Sequence, residues 1–132
     1  MTKMSVKKHH IEETVIEMAA RLQPVFDKSW QAIYIYQDDT HKVCNKNFAE
    51  MIGYESVEEW AKVETPLSDV VEEDRPAFTA AYENASKRME AGSLDVKLKN
   101  IKNSKIIETN MIVVPLTDGS NNVFTAHFFS RK

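Results

Sequence analysis

One cysteine, three glycines and four prolines among 132 residues leave several architectures without the residues they need. The lone Cys44 excludes an internal disulfide framework and any cysteine-cluster zinc or iron–sulfur site. So little glycine and proline excludes collagen-like and low-complexity chains. No apolar run approaches the roughly 18 residues of a membrane-spanning helix, and no apolar core with a small-residue cleavage site marks a signal peptide. Positive charge is not in excess either. With 17 Lys and Arg against 20 Asp and Glu the formal net charge is −3, which argues against a domain built on phosphate contacts. Neither nucleic acid nor membrane is therefore an expected partner, and the cytoplasm is the expected location. What is present is an ordinary globular balance, 42% hydrophobic and 28% charged, which separates the chain from disordered sequences. Its length is that of one domain.

Residues 1–10 carry a short basic run without periodicity and read as a flexible leader. Adjacent His9 and His10 do not face one another on a helix and make no metal pair. From Ile11 the pattern is helical: Ile11, Val15, Met18 and Leu22 recur at spacings of three and four, with Glu12, Glu13, Glu17 and Arg21 off the stripe. This predicts a helix over 11–24, with Pro24 ending it or opening a new turn, and a globular domain over 25–132. Residues 32–36 (AIYIY) and Val43-Cys44, separated by polar residues 37–42, read as a hairpin.

The period then changes. Phe48, Met51 and Ile52 fit a short helix stopped by Gly53, and Ser56 has the spacing to cap a second one through Glu59. Asp74 and Pro76 suit the start of the longest helix, which runs over 75–91 to Gly92. Segments 94–99, 106–116 and 123–130 finish the chain as strands. The expected class is α+β, a five-stranded antiparallel sheet with helices on its concave face and one further helix at the N-terminus. Hairpin logic alone gives the neighbours 1–2, 3–4 and 4–5.

Asn45, Phe48, Gly53 and Tyr54 follow the pattern N-x-x-F-x-x-x-x-G-Y of N-x-x-F-x-x-x-x-G-Y-x-x-E-E after an A-I-x-I-x strand, and Glu58-Glu59 supply its E-E one residue later. Glu73-Asp74-Arg75 supplies a later E-D-R, and Lys102-Asn103-Ser104 loosely matches a K-D-G-S turn. In this order and spacing the chain resembles the PAS domain family over about residues 25–129. The resemblance implies strand order 2-1-5-4-3, with the pairing of strands one and five as the family's contribution. It also implies a sensory or protein-interaction module, and a cup that in this family holds haem, flavin, a metabolite or nothing. A helix before the cup often makes a dimer contact in the family, and the helix at 11–24 lies in the corresponding place.

The family's cofactors need residues that can be checked. Flavin domains of the LOV type resemble this chain in fold but carry a reactive cysteine in an N-C-R-F-L-Q motif, to which Cys44 does not correspond. Asn110 aligns with a flavin-contacting asparagine, whereas the partner glutamine of the last strand falls at or near Phe128, which cannot hydrogen-bond a flavin edge. Haem sensors often use a histidine of the long helix, and residues 76–91 contain none. His127 lies on the last strand, on the opposite face from Phe124, Ala126 and Phe128. Neither flavin, haem nor a metal is therefore expected.

No Ser-His-Asp elbow, H-E-x-x-H or Walker motif is present, and catalysis is not expected. A salt bridge from Glu50, Glu58 or Glu59 to Lys97 or Lys99 would suit the resemblance. The residues expected to point between sheet and helices are Ile33, Ile35, Phe48, Met51, Ile52, Tyr54, Trp60, Leu67, Phe78, Tyr82, Asn110, Ile112, Val114, Phe124 and Phe128. Asn110, Tyr34 and Tyr82 are the polar anchors available there. The outer face of the sheet would then carry Ile107, Met111, Val113 and Phe129. The leading expectation is a non-enzymatic sensory or interaction module acting in signal transduction through a homodimer or a signalling partner. Ile11, Val15, Met18 and Leu22 form the expected dimer seam. The alternatives that stay open are a sensor for a small apolar ligand, a small enzyme on a similar cup, and a helix that folds back over its own sheet. The sequence also leaves open whether the chain is a fragment of a longer sensor.

Overall fold

The computed structural model describes residues 15–132. The leader at 1–10 and Ile11 lie outside the described residues. Helix α1 covers residues 15–21 and α2 Gln23–Lys28. Pro24 sits in the first turn of α2, where a missing N–H costs nothing, so the chain bends at Leu22 rather than stopping. There follow β1 Ala32–Asp38, β2 His41–Cys44, α3 Lys46–Ile52, α4 Val57–Ala61, two 3₁₀ turns at Pro66–Asp69 and Glu72–Asp74, and α5 Arg75–Arg88. Strands β3 Gly92–Lys99, β4 Ile106–Thr117 and β5 Val123–Arg131 complete the chain. The sheet is antiparallel in the order β2-β1-β5-β4-β3, as expected.

Local chemistry explains the junctions. Asn45 is buried between β2 and α3. Its Oδ1 accepts from Phe48 N at 2.9 Å and Ile33 N at 3.0 Å, and its Nδ2 donates to Gln31 O at 3.0 Å. One side chain thus caps a helix and fixes the first strand beneath it. Ser56 caps α4 by accepting from Glu59 N at 3.1 Å. Gly53 ends α3 with φ of +95°, and a Cβ there would stand 2.6 Å from Asn100 Oδ1. Both the backbone and the space require glycine.

The E-D-R stretch is a staple between the helical segment and β3. Glu73 pairs with Lys97 at 3.2 Å, Asp74 accepts from Lys97 N at 2.8 Å, and Arg75 Nε donates to Val70 O at 3.0 Å. Two expectations change here. Asp74 is not a side-chain cap for α5, because its carboxylate is already taken by the strand. The partner of Lys97 is Glu73, while Glu50 pairs with Lys46 at 3.7 Å along its own helix. Helix α5 ends at Met89 in a left-handed conformation, and Gly92 opens β3.

One face of the sheet is covered by α3, α4 and α5, and the other is covered by α1 over β1 and β5. Against the helices lie Tyr34, Val96, Leu98, Ile107, Met111, Val113 and Phe129, packed on Phe48, Ile52, Trp60, Phe78 and Ala85. On the other face Ile35, Phe124 and Ala126 are buried beneath Val15 and Met18, with Leu22, Phe26, Val43 and Phe128 around them. Helix α1 therefore folds back over its own sheet. Val15 and Met18 of the expected dimer seam are spent within the chain, and Leu22 is half-buried beside them. No described helix is long and apolar enough to cross a membrane.

Candidate functional site

Side chains alternate along a strand, so one choice of phase decides a whole face. On β1, β4 and β5 the phase is the reverse of the one expected. Ile35, Phe124 and Phe128 belong to the outer face under α1, as does Ile33, which alternation puts beside Ile35. Asn110, Ile112 and Val114 also lie on the outer side of β4, opposite the inward Ile107, Met111 and Val113. Asn110 bonds Asp95 Oδ1 across the strand pair at 3.2 Å and is no anchor inside the cup. Inside are Tyr34 and Tyr36 of β1, and Thr125, His127 and Phe129 of β5. Phe48, Met51, Ile52 and Trp60 do join the core under the helices, and Tyr54 packs at its edge.

The cup contains a cavity of about 170 Å³. Its walls come from five places: Tyr34 and Tyr36 of β1, Asp39 of the hairpin turn, Thr65, Pro66 and Leu67 of the first 3₁₀ turn, Phe78, Thr79 and Tyr82 of α5, and His127 of β5. Tyr34, Pro66, Phe78 and His127 are buried and form the inner end, whereas Asp39 is exposed and marks the rim. Leu67, Phe78 and Tyr82 were expected inside and line it. Tyr36, Thr65, Pro66, Thr79 and His127 were not expected. The signal for Tyr36 and His127 lay in the helix at 11–24, whose apolar stripe needs an apolar face to cover and so calls for the aliphatic side of β1 and the Phe124, Ala126, Phe128 side of β5 to turn outward; Thr65, Pro66 and Thr79 had no such signal.

Aromatic packing holds the walls. The His127 ring lies between Tyr34, centroids 4.3 Å apart and 20° from parallel, and Phe78 at 5.8 Å and 21°. Tyr36 and Tyr82 meet edge to face at 5.3 Å, and Tyr36 Oη donates to Asp39 Oδ1 at 2.6 Å. His127 Nε2 lies 2.8 Å from Thr125 Oγ1, and that hydroxyl donates to Tyr36 O at 3.4 Å. The other ring nitrogen, Nδ1, is buried and has no partner among the described residues; the one other such side-chain atom is Gln37 Oε1. Burial holds the His127 imidazole down at about 3, so the ring is neutral at physiological pH.

A second polar cluster lies behind the walls rather than in the cavity. Asp69 is buried and accepts from Trp60 Nε1 and Tyr54 Oη, each at 3.0 Å. Burial raises its carboxyl to about 6 against the opposing pull of these donors and of Lys42. Lys42 is itself buried; its Nζ donates to Ala61 O at 3.1 Å, to Val63 O at 2.6 Å and to Asp39 O, and lies over the Trp60 ring. Cys44 is buried beside this cluster, and burial pushes its thiol up to about 12, which leaves it inert.

The residues present do not fit a flavin or a haem. A cavity of about 150 Å³ accommodates a single benzene ring. At about 170 Å³ this one is of the same order, while a flavin has three fused rings and haem a tetrapyrrole. Cys44 and Asn110 are not on its walls, and His127 is enclosed by two aromatic rings. No cluster of three or more His, Cys, Asp or Glu able to hold a metal occurs among the described residues.

No family model and no curated protein matches the chain. Solved structures do match. A PAS domain of a two-component sensor histidine kinase superposes with a TM-score of 0.62 at 18% identity, covering 91% of this chain and 98% of that one. A PAS domain from Colwellia psychrerythraea gives 0.67 at 17% identity, covering 87% and 97%. A light-oxygen-voltage domain studied with a flavin analogue gives 0.64 at 15% identity, covering 88% and 84%. The chain has the fold of PAS domains.

Proposed function

We propose that the chain is a non-enzymatic sensory module of signal transduction that detects a small, largely apolar ligand in the cup between sheet and α5. The observation that carries this reading is the aromatic-walled cavity of about 170 Å³, which runs from a buried inner end to an exposed rim. Such a cavity suits one compact molecule. The likeness to a sensor-kinase PAS domain supports the sensory role.

Strand β5 supplies a route for the signal. Its inward His127 lines the cavity, while its outward Phe124, Ala126 and Phe128 carry α1. A ligand that shifts β5 is felt on the other face of the sheet by the helix packed there.

An enzyme on this cup is less well supported. A general base works best with a pKa near the working pH, and His127 lies far below it, while the hydroxyl it bonds, Thr125, is not on the cavity walls. Contact with a second copy or a signalling protein is the second reading. It is favoured by Trp30, 76% exposed, and by Ile106 and Ile112, 51% and 42% exposed on the outward face of β4.

The test is a ¹⁵N- and ¹³C-detected titration with a set of neutral one-ring compounds. Shifts gathered on Tyr34, Leu67, Phe78, Thr79 and Tyr82 support the ligand site. A set that leaves these residues unmoved contradicts it.

A further inference from the structure

We propose that His127 anchors the ligand by accepting a hydrogen bond at Nδ1, which selects neutral one-ring compounds that carry an O–H or N–H donor. This rests on the cup being a ligand site.

The Thr125 hydroxyl has one proton, and two groups lie within reach, Tyr36 O at 3.4 Å and His127 Nε2 at 2.8 Å. The carbonyl can only accept. With Thr125 donating to it, the shorter contact is made by Nε2–H donating to Oγ1, and both bonds form at once. That places the ring's single proton on Nε2 and leaves a lone pair on Nδ1.

The cup supplies nothing to meet that lone pair. Among the described residues Nδ1 has no partner, and the Tyr36 hydroxyl on the neighbouring strand β1 is turned to Asp39. Leaving a buried acceptor unmet costs free energy, so a ligand donor at this point is worth more than one facing water. Thr125 is not among the cavity walls while His127 is, so the edge of the ring bonded to Thr125 is turned away from the space a ligand would fill.

The remaining walls set the rest of the ligand's character. Tyr34 and Phe78 flank the imidazole and offer flat apolar faces, which suit a planar ring. The one charged wall residue, Asp39, is at the exposed rim and already accepts from Tyr36. A charged ligand group at the inner end would lack a counterion and is disfavoured. The neutral imidazole, held far below its ordinary pKa by burial, stays an acceptor across the physiological range.

Phenol and toluene are the probes, since they share a ring and nearly a size and differ in the donor. The full chain and its His127→Phe variant, which keeps a flat ring between Tyr34 and Phe78, are titrated with each. Phenol is expected to bind the native chain about fivefold more tightly than toluene, the worth of one hydrogen bond. In His127→Phe that preference disappears while toluene binding stays within about twofold. Long-range ¹H–¹⁵N spectra of the native chain read the tautomer independently of any variant; Nδ1 is expected to be unprotonated and to move on adding phenol but not toluene. A protonated Nδ1, or a phenol preference that survives in His127→Phe, overturns the anchor and leaves the ligand site standing. If neither compound shifts the cup residues, the ligand site falls and the anchor with it.

Discussion

Replacing Asp69 with asparagine removes the ionisable group around which Trp60, Tyr54 and Lys42 are arranged, and the consequence is a change in how stability depends on pH. The carboxyl is buried, and burial raises it from its ordinary value of 3.8 to about 6. In the unfolded chain it returns to the ordinary value. Between the two values the folded chain holds a proton that the unfolded chain has released, so stability falls as pH rises through this window and the loss is complete above it. At about 1.4 kcal/mol per pH unit the window is worth about 3 kcal/mol. Asparagine keeps a carbonyl to accept from Trp60, and the Tyr54 hydroxyl can turn to accept from its amide, so the variant is expected to fold. Urea unfolding followed by far-ultraviolet circular dichroism, on both proteins from pH 4 to pH 7.5, cancels the titrations they share. The stability of the native chain relative to Asp69→Asn is expected to drop by about 2 kcal/mol between about pH 4 and pH 6 and to level off by about pH 7. A constant difference, or one that grows in favour of the native chain with rising pH, would refute the reasoning, since it would mean that Lys42 and the two donors outweigh the cost of burial.

Met18→Ala should cost about 2–4 kcal/mol because Met18 is buried on the outer sheet face, whereas Ile16→Ala, at a position 62% exposed, should change stability by less than about 0.5 kcal/mol; equal effects would contradict the docking of α1. Gly53→Ala forces a side chain into a left-handed conformation against Asn100, and urea unfolding should show a loss of more than about 1 kcal/mol. Protein purified from cells that make both flavin and haem should lack a visible absorption band, and a stoichiometric one would show that the cup opens far beyond its present size.

Much of the fold can be read along the chain because its determinants are local. Gly53 and Ser56 act where their spacing puts them, and each strand lies where β-branched and aromatic residues gather. The pairing of β1 with β5 came through the family resemblance, since no hairpin joins them. The faces of β1, β4 and β5 were not legible, for a specific reason. Both faces of β1 and β5 are covered, so Ile33-Tyr34-Ile35-Tyr36 and Phe124-Thr125-Ala126-His127-Phe128-Phe129 present apolar or aromatic residues to either side. With no polar face to mark solvent, alternation does not choose, and His127 was set outside the cup. On β4 the outward face does carry Glu108 and Asn110, but Ile106, Ile112 and Val114 beside them are as apolar as the inward Ile107, Met111 and Val113, and Asn110 was set inside. Asp74 misled in another way: it has the composition and position of a cap, but its carboxylate is used by Lys97 N, a partner 23 residues away that no local pattern shows.

The central claim is that the cup holds a space able to take one small molecule, and a crystal structure under xenon pressure tests it most directly. Xenon enters apolar cavities of about this size without needing a hydrogen bond or a particular shape. The account predicts a xenon atom enclosed by Tyr34, Leu67, Phe78 and His127. A structure in which these side chains close on one another and xenon is absent from between them would contradict it.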